Sequence, residues 1–495
     1  MNQPLDQTQI PLLSALQAGA KRDYAPFHTP GHKRGQGMER SLIELLGTQA
    51  SRADLPELPE LDNLFAPQGV IQSAQRLAAQ AFGADQTWFL VNGSTSGVLA
   101  MMLATCNPGD KIILPRNVHQ SAISGLILSG AIPIFVQPEY DPEWDLAHGV
   151  TPATIAAALA QHPDAKAVMV VYPTYYGTCS DLAAIAEMTH QYNIPLLVDE
   201  AHGAHFTFHP ELPTPALVAT ADLTVQSTHK TLSALTQAAM LHRRGSRVDG
   251  DRVSRALQLV QSTSPNYLLL ASLDAARHQM ATTGKELLAR TLQLADQARS
   301  RLGQLPGLAL LQPEQATTPG FWALDRTRLT VNVTGLGIDG FTADEILHQR
   351  LGVTCELPAL QHLTFIISLG NTAADIERLV EGIRQLIEEV ESGGCEVDGE
   401  DKGDGGVSWQ RIVGEMVVSP RQAWFAVAEV VEVEQAIDAI SAELICPYPP
   451  GIPVLMPGER ITPAAIDYLQ QVLAFGGMIS GCADPDLKTL KVITR

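Results

Sequence analysis

Two short apolar runs in the sequence each end at a residue that could take part in catalysis. Lys230 lies in the segment QSTHK, directly after the run 222–225, and Asp199 directly follows the run 194–198. A lysine beyond the end of a buried strand can present a primary amine that attacks a carbonyl group, as in an internal Schiff base. A lysine at such a position is more often a solvated surface charge. The carboxylate at the end of a second strand favours the chemical interpretation.

A run of small and hydroxyl residues, NGSTSG at 92–97, follows another predicted strand and leads into a helix. Small residues let backbone amides approach an anion, the hydroxyls of Ser94, Thr95 and Ser96 can donate hydrogen bonds, and a helix N-terminus carries roughly half a positive charge. This predicts a phosphate-binding turn, although an ordinary Ser/Thr-capped helix has the same sequence. The run matches neither the dinucleotide nor the nucleoside-triphosphate fingerprint, which disfavours both ligands.

His119 follows a further strand, where its imidazole could stack on a flat aromatic cofactor. Asp199 would hold its charge best against a cation such as a protonated pyridine nitrogen. The phosphate turn, the imidazole, the aspartate and the lysine thus occur in this order at four strand ends, which predicts pyridoxal phosphate. A metal site formed by Asp199 with His202, His205 and His209 is the alternative, but this histidine spacing is not a standard metal signature, which disfavours zinc.

These residues require an α/β domain to position them. The pattern predicts helices at 70–82 and 96–106 and short apolar strands separated mostly by helices. Such a pattern is typical of a mainly parallel seven-stranded sheet with both faces covered, which binds ligands at the carboxyl ends of its strands. The predicted strands are 87–91, 111–115, 132–136, 167–172, 195–199, 222–227 and 238–242.

The rest of the chain predicts smaller α+β units. Beyond residue 267 the pattern gives helices at 271–280, 285–302 and 372–391 and strands at 308–311, 328–333, 353–357 and 364–369. A helix near 463–473 follows an acidic, glycine-rich stretch that is typical of a linker. The predicted domains are an N-terminal helical segment at 1–25, a large cofactor-binding domain at 26–270, a small α+β domain at 271–390, the linker at 391–407 and a C-terminal α+β domain at 408–495.

The composition excludes several classes of protein. The formal net charge of −20 argues against a general nucleic-acid or anionic-membrane surface. The six cysteines form no C-x-x-C pair, so neither a zinc ribbon nor a disulfide framework is indicated. There is no signal-peptide pattern and no apolar run of about 18 residues. We therefore expect a cytoplasmic protein.

Four motifs carry a family resemblance: HTPGHKRG at 28–35, VDEAHGAH at 198–205, STHKTLSALTQ at 227–237 and YPPGIPVLMPGE at 448–459. The chain resembles the ornithine/lysine/arginine decarboxylase family of fold-type-I pyridoxal-phosphate enzymes. The resemblance implies a Schiff-base role for Lys230, pairing of Asp199 with the pyridine nitrogen, stacking of His119 on the ring and a place for His202 near the cofactor. The residues implied around the phosphate are Ser94, Thr95, Ser96, Ser227 and His229.

The resemblance also implies an activity and an assembly. The expected reaction is decarboxylation of L-arginine to agmatine, a step of polyamine biosynthesis, with lysine or ornithine as the alternative substrate. An aminotransferase or lyase, or a binding protein without turnover, are more distant alternatives. We expect a compact form without the N-terminal wing domain of larger members, assembled as a homodimer or pair of dimers with shared active sites.

The expected catalytic residues are Asp199, His119, His229 and Lys230, with His229 or Lys230 returning a proton to the substrate.

Substrate recognition is predicted from charge. A basic side chain needs an acidic partner at the far end of the pocket. The carboxylates considered for that role are Asp62, Glu443 and Glu459, although carboxylates at such positions are more often simply solvated. By resemblance, His28, His32 and Lys33 reach the neighbouring subunit's site, although the same loop could be a plain Pro-Gly turn.

Overall fold

The computed structural model describes residues 4–393, 409–448 and 451–494. The chain forms two compact units. The first contains the chain up to Thr105 together with Asn193–Leu288, and the second contains Cys106–Tyr192 together with the chain from Ala289 onward.

Ten strands precede the long central helix. They are β1 (Gln86–Leu90), β2 (Lys111–Pro115), β3 (Ile132–Val136), β4 (Tyr140–Asp141), β5 (Leu146–Ala147), β6 (Ala167–Val171), β7 (Thr178–Cys179), β8 (Leu196–Asp199), β9 (Leu223–Gln226) and β10 (Ala239–Arg243). Seven of them form the main sheet, in the order β1-β10-β9-β8-β6-β2-β3. In the first unit β8 and β9 are parallel, whereas β10 is antiparallel to β9 and to β1. In the second unit β2 is parallel to both β3 and β6. The predicted mainly parallel seven-stranded sheet is confirmed.

Helices are distributed along the whole described chain. They are α1 (Pro11–Lys21), α2 (Arg40–Leu46), α3 (Thr48–Ala53), α4 (Val70–Phe82), α5 (Gly93–Thr105), α6 (Gln120–Ser129), α7 (Pro152–Gln161), α8 (Leu182–Gln191), α9 (Thr228–Thr231), α10 (Gly250–Val260), α11 (Tyr267–Leu302), α12 (Gly340–Ile346), α13 (Ala373–Glu391), α14 (Trp409–Ile412), α15 (Pro420–Trp424) and α16 (Pro463–Ala474). Local signals explain several ends: Thr151 and Thr462 cap α7 and α16 with their hydroxyls, and α4 ends at Gly83, whose φ is 76°.

The helices predicted at 271–280 and 285–302 are wrong as separate elements, because α11 runs unbroken from Tyr267 to Leu302. The hydroxyls of Thr282 and Thr283 donate to the carbonyls of His278 and Gln279, one turn back, at 2.8 and 3.0 Å. A Cβ on Gly284 would lie 2.9 Å from Cε of Met280. Two satisfied threonines and a glycine in close packing therefore let the helix continue.

Nine strands follow α11 in the part of the chain that the structure describes. They are β11 (Ala309–Leu310), β12 (Ala323–Leu324), β13 (Arg328–Asn332), β14 (Leu357–Pro358), β15 (His362–Ile366), β16 (Ala428–Glu432), β17 (Cys446–Tyr448), β18 (Met478–Ser480) and β19 (Thr489–Ile493). In the second unit β11, β13, β15 and β14 form an antiparallel sheet, and α13 contributes Ile376, Leu379 and Ile383 to its buried core. The remaining pairs are β16 with β19, β17 with β18, β12 with β7 and β4 with β5.

The strand predicted at 353–357 is wrong in extent, since β14 covers only Leu357–Pro358. A π-helical turn at Leu347–Leu351 ends at Gly352, whose φ is 66°. The amide of Val353 then donates to the carbonyl of Leu347 at 2.9 Å, which keeps Val353 attached to the helix end. The apolar residue that suggested a strand is therefore used to close a helix.

The predicted linker at 391–407 lies outside the described residues from residue 394 onward, and the proposed domain boundaries stay predictions. In the C-terminal part of the second unit, α16 contributes Ile466 and Leu469 to a buried cluster with Ile445 and Leu455. Across the described ranges, none of the helices has the length and apolar character needed to cross a membrane.

Candidate active site

Lys230 lies in a short helical turn that directly follows a buried strand of the first unit. All four residues of β9 are buried, and the chain then turns into α9, where the amide of Lys230 donates to the carbonyl of Ser227 at 3.0 Å. The Nζ atom of Lys230 lies 2.9 Å from Nε2 of His202. The amine is therefore held at a defined position at the end of the strand, next to the imidazole of His202.

Asp199 ends β8, the parallel neighbour of β9. Its side chain is buried, and Oδ1 accepts a hydrogen bond from the amide of Ala201 at 3.2 Å. Burial raises the pKa of the Asp199 carboxyl, while the positive charge of Lys230 and the Ala201 amide oppose this effect. The carboxylate would thus be stabilised by a further cation, as a protonated ring nitrogen would be.

The turn at 92–97 forms the start of α5, and it lies against the Lys230 segment. The hydroxyl of Ser227 donates to Oγ of Ser94 at 2.7 Å. Gly97 makes the close approach possible, because a Cβ there would lie 2.4 Å from Cγ2 of Val225 in β9. Within the described residues the buried hydroxyl of Thr228 has no hydrogen-bond partner. Hydroxyls from two segments therefore gather at a helix N-terminus, which suits a phosphate group.

The other two hydroxyl residues of the turn differ in exposure. Ser96 is buried, and its hydroxyl donates to the carbonyl of Gly93 at 2.8 Å, whereas Thr95 is exposed. The hydrogen bond of Ser96 closes the first turn of α5 and is also what an ordinary helix start would show. The phosphate-binding roles predicted for Ser94, Thr95, Ser96 and Ser227 stay predictions.

His229 is held by the chain segment that leads into β10. Its Nδ1 lies 3.0 Å from the carbonyl oxygen of Ala238, and its amide donates to the same oxygen at 3.2 Å. Since a carbonyl can only accept, Nδ1 carries the proton and Nε2 is left as an acceptor. Burial lowers the pKa of His229, so its ring is neutral near pH 7. This arrangement suits a residue that accepts or relays a proton.

The side chains of the first unit fit pyridoxal phosphate. The amine of Lys230 suits the aldehyde, the carboxyl of Asp199 suits a cationic ring nitrogen, and the hydroxyls of Ser94, Ser227 and Thr228 suit a phosphate. Residues at the ends of β8 and β9 and at the start of α5 therefore match three different chemical groups of one ligand.

Four buried polar side chains behind this site were missed in the sequence analysis. Nε2 of Gln226 donates to Oε2 of Glu200 at 2.7 Å, and Oε1 of Gln226 lies 3.1 Å from Nε2 of His242. Nδ1 of His242 in turn lies 2.8 Å from Oγ1 of Thr87. The relay crosses β8, β9, β10 and β1, and Glu200 directly follows Asp199. It therefore links the strand ends that carry the candidate active-site residues. The available signal was a polar residue inside or beside each otherwise apolar strand.

Replacing Glu200 by glutamine is expected to change how stability depends on pH. Burial raises the pKa of Glu200 to about 8, against the opposing hydrogen bonds from Gln226 and Ala216. The unfolded chain has an ordinary glutamate pKa of about 4.3. Between these values the folded protein binds the extra proton, so the stability contribution of this group is lost as pH rises toward the folded pKa. Glu200→Gln removes this loss. The melting midpoint of the variant minus that of the wild type should therefore increase by at least ~2 °C as the pH is raised from about 5 to about 8.

Differential scanning fluorimetry of both proteins across this pH range measures the difference. Glu187, which is exposed on α8, offers a matched control as Glu187→Gln. A midpoint difference between Glu200→Gln and wild type that does not change with pH would contradict a neutral Glu200 in the folded protein.

His119 belongs to the second unit, where it forms the N-cap of α6. Its Nδ1 accepts from the amide of Ser121 at 3.2 Å and lies 2.8 Å from the Ser121 hydroxyl. On its other edge, a Cβ on Gly451 would lie 3.2 Å from Nε2 of His119. The ring is therefore held on two sides, and its role in stacking on a cofactor stays a prediction.

The loop with His28, His32 and Lys33 makes many of its contacts within its own part of the first unit. The ring of His28 lies 2.9 Å from the hydroxyl of Tyr24, and the ring of His32 lies 3.0 Å from Oδ2 of Asp54. Nζ of Lys33 donates to the carbonyl of His28 at 2.5 Å. These contacts give the loop a defined shape, while its approach to a neighbouring subunit stays a prediction.

Asp62, a proposed reader of the substrate side chain, binds backbone amides next to α4. Its carboxylate accepts from Gln68, Gly69 and Ile71 at 2.9, 2.7 and 3.1 Å. Burial alone would raise the pKa of Asp62, but the amide donors together lower it. The side chain therefore organises the start of α4, and its role toward a substrate stays a prediction.

The other two proposed readers lie in the second unit. Glu443 accepts from the amides of Ala483 and Lys491 at 2.7 and 2.9 Å. Glu459 forms a buried ion pair with Arg116, with Nη2 of Arg116 2.9 Å from Oε2. Both carboxylates are thus bound by groups of their own unit, and their recognition of a substrate is likewise untested.

The alternative of a metal site rested on Asp199, His202, His205 and His209. In the described part of the chain, no group of three or more His, Cys, Asp or Glu side chains is placed to hold a metal ion. His202 instead contacts Lys230, and Nδ1 of His209 accepts from the amide of Glu211 at 3.3 Å.

Comparison with known proteins gives matches over most of the chain. The family model "Orn/Lys/Arg decarboxylase, major domain" matches residues 10–381, and "Orn/Lys/Arg decarboxylase, C-terminal domain" matches residues 408–487. An arginine decarboxylase from Bacillus subtilis is 39% identical over 99% of both chains, and one from Halalkalibacterium halodurans is 40% identical over 98% of both.

More distant matches include lysine decarboxylases. LdcA from Pseudomonas aeruginosa is 27% identical over 94% of this chain and 76% of its own length. The structure of the constitutive lysine decarboxylase of E. coli superposes with a TM-score of 0.82 at 23% identity, covering 99% of this chain and 82% of that one. At this identity the likeness supports the fold alone, and it agrees with the predicted fold class.

Proposed function

The chain belongs to the Orn/Lys/Arg decarboxylase family, and from this premise we propose that it removes the α-carboxyl group of L-arginine to give agmatine and carbon dioxide. The observation that carries the choice of substrate is identity of 39–40% with several arginine decarboxylases over 92–99% of this chain. The lysine decarboxylases are only 24–27% identical.

The proposed cofactor is pyridoxal phosphate. When bound, it would supply an electron sink for the electron pair that remains on Cα after carbon dioxide leaves. Lys230 would hold it covalently through Nζ, and Asp199 would hold its ring nitrogen. Ser94, Ser227 and the unpaired hydroxyl of Thr228 would bind its phosphate, with Thr95, Ser96 and His229 nearby.

The residues of this chain also have to place the substrate and move a proton. Decarboxylation requires the bond between Cα and the carboxylate to stand perpendicular to the cofactor ring, so the site must fix the orientation of the substrate. Lys230, whose Nζ lies 2.9 Å from Nε2 of His202, would hold a proton and return it to Cα. His229 is the second group proposed for this step: its Nε2, an acceptor in the neutral ring, would first take up a proton and then pass that proton to Cα.

Assembly and location complete the proposal. We propose a homodimer or a pair of dimers in the cytoplasm, acting in polyamine biosynthesis, with His28, His32 and Lys33 reaching the neighbouring subunit's site. Support comes from the family resemblance of the loop at 28–35. Multi-angle light scattering of the purified protein would test the assembly, and a monomeric mass with full activity would contradict shared sites.

An amine-product assay with arginine, lysine and ornithine tests the choice of substrate. We expect kcat/KM to be at least ~10-fold higher for arginine, because a planar guanidinium can bind a carboxylate through two hydrogen bonds. Chromatography of the products should show agmatine, with carbon dioxide released in equal amount. Cadaverine or putrescine as the main product would reassign the substrate, and formation of a keto acid would indicate an aminotransferase.

A further inference from the structure

A buried ion pair in the second unit joins the turn that carries His119 to the C-terminal part of the chain. Arg116 directly follows β2, and Glu459 is 343 residues later in the sequence. Nη2 of Arg116 lies 2.9 and 3.2 Å from the two carboxylate oxygens of Glu459. Nη1 and Nη2 also donate to the carbonyls of Pro453 and Val454, at 2.6 and 3.0 Å. One guanidinium therefore binds three residues of the same segment.

Glu459 is satisfied from its own side as well. Its carboxylate accepts from the amides of Met456 and Gly414, at 3.1 and 3.0 Å. Both charged side chains are only 1% exposed. A buried pair of this kind is costly to desolvate unless each group is fully bonded, and here the carboxylate oxygens and the two terminal nitrogens are bonded. Such a pair fixes geometry more than it adds stability.

The same segment reaches the His119 ring. The carbonyl of Gly451 accepts from the amide of Gln120 at 2.9 Å. A Cβ on Gly451 would lie 3.2 and 3.4 Å from Nε2 and Cδ2 of His119, and the φ of Gly451 is 80°. Only glycine fits this backbone conformation and this approach without strain. The segment 451–459 thus contacts the turn 116–120 at both ends of the turn.

We propose that Arg116 and Glu459 are positioning residues that hold the segment 451–459 against the turn 116–120, so that the His119 ring is kept in the orientation that binds the cofactor. This inference rests on the proposed function and on the stacking of His119 on the pyridoxal ring that the family resemblance implies. It gives Glu459 a positioning role through Arg116 and Gly451. It also gives a reason for Gly451 in the run at 448–459.

The test removes both charges together. Single replacements would leave one buried charge unpaired and could unfold the protein, whereas removing both partners is often tolerated. For Arg116→Met/Glu459→Gln we expect a folded protein that binds the cofactor roughly tenfold more weakly than the wild type does. Dilution of the holoenzyme measures this difference in affinity. Turnover of arginine should fall by roughly 10- to 100-fold with a smaller change in KM. The circular dichroism band of the bound cofactor should also change, because it reports ring orientation.

Arg421 provides a matched control in the same unit. Its Nη1 donates to the carbonyls of Ile127 and Leu128, at 2.7 and 3.1 Å, at the opposite end of α6 from His119. Arg421→Met therefore also removes a contact between the C-terminal segment and α6. It should lower the melting midpoint and leave cofactor affinity and the dichroism band unchanged.

Gly451→Ala is the second variant, and it keeps the ion pair. Its methyl group would displace the His119 ring directly, so we expect weaker cofactor binding and an altered dichroism band here too. The proposal is overturned if the double variant and Gly451→Ala both retain the cofactor affinity and the dichroism band of Arg421→Met. Cofactor affinity is measured without substrate, so a wild type that binds pyridoxal phosphate but does not decarboxylate arginine would overturn the proposed function and leave this test valid.

Discussion

Replacement of Lys230 by alanine is expected to abolish decarboxylation and the visible absorbance band of the lysine-bound cofactor. Lys230 is the residue whose amine lies at the end of β9, 2.9 Å from His202 and within reach of the charge of Asp199. Alanine cannot form the covalent link, and removal of such a nucleophile lowers kcat by roughly 10⁴-fold or more. Absorbance spectra and arginine turnover of purified Lys230→Ala measure both effects.

Lys285 provides the control for this experiment. It is exposed on α11 in the same unit, and Lys285→Ala should keep both the absorbance band and the turnover of wild type. A persisting band in Lys230→Ala would mean that another lysine carries the cofactor, and the assignment of the site would then have to be abandoned.

Replacement of Asp199 by asparagine should separate cofactor binding from catalysis. Burial raises the pKa of the Asp199 carboxyl, and a cationic ring nitrogen would favour its ionised form. Asparagine has the same shape but no charge, so it cannot stabilise the protonated ring. We expect Asp199→Asn to retain cofactor while kcat falls by roughly 100-fold or more. Cofactor content by absorbance and kcat by agmatine release are the two measurements.

Asp251, which is exposed in the first turn of α10, serves as the matched control as Asp251→Asn. If Asp199→Asn turned over arginine at the rate of this control, the carboxylate would have no electrostatic role in the reaction. The Lys230 assignment would be unaffected by that result, because it is tested by the absorbance band.

The sheet and the positions of Asp199 and Lys230 at strand ends could be predicted because their signal is local. Each strand of the main sheet is a short apolar run, and the observed strands begin and end within one residue of the predictions. Asp199 and Lys230 stand out as a pair, because two oppositely charged residues each directly follow one of these apolar runs or lie close behind it. The hydroxyl turn at 92–97 was equally readable from its composition.

The buried relay could not be predicted, because its contacts depend on strand register. Thr87 meets His242 as directly paired residues of β1 and β10. Gln226 and Glu200 meet across β9 and the end of β8. Nothing in any single run shows which polar residue of one strand will face that of the next, so each of these side chains looked like an isolated polar residue.

The contacts of the acidic side chains proposed to bind the substrate could not be predicted either, because their partners are not adjacent in the sequence. Most of the bonds of Asp62 come from backbone amides 6 to 10 residues later, which sequence alone does not display. The partner of Glu459 is 343 residues away. A carboxylate in a polar segment carries no sequence signal of whether it faces a ligand, a backbone or an arginine, and only the folded chain distinguishes these cases.

Mass-spectrometric mapping after borohydride reduction tests the central assignment most directly. Reduction of the holoenzyme makes the link between the cofactor and its lysine permanent, and digestion then locates the added mass. We predict that the pyridoxal-phosphate mass is found on the peptide that contains Lys230 and is lost from it in Lys230→Ala. The same mass on a different lysine peptide, or on none, would contradict the assignment.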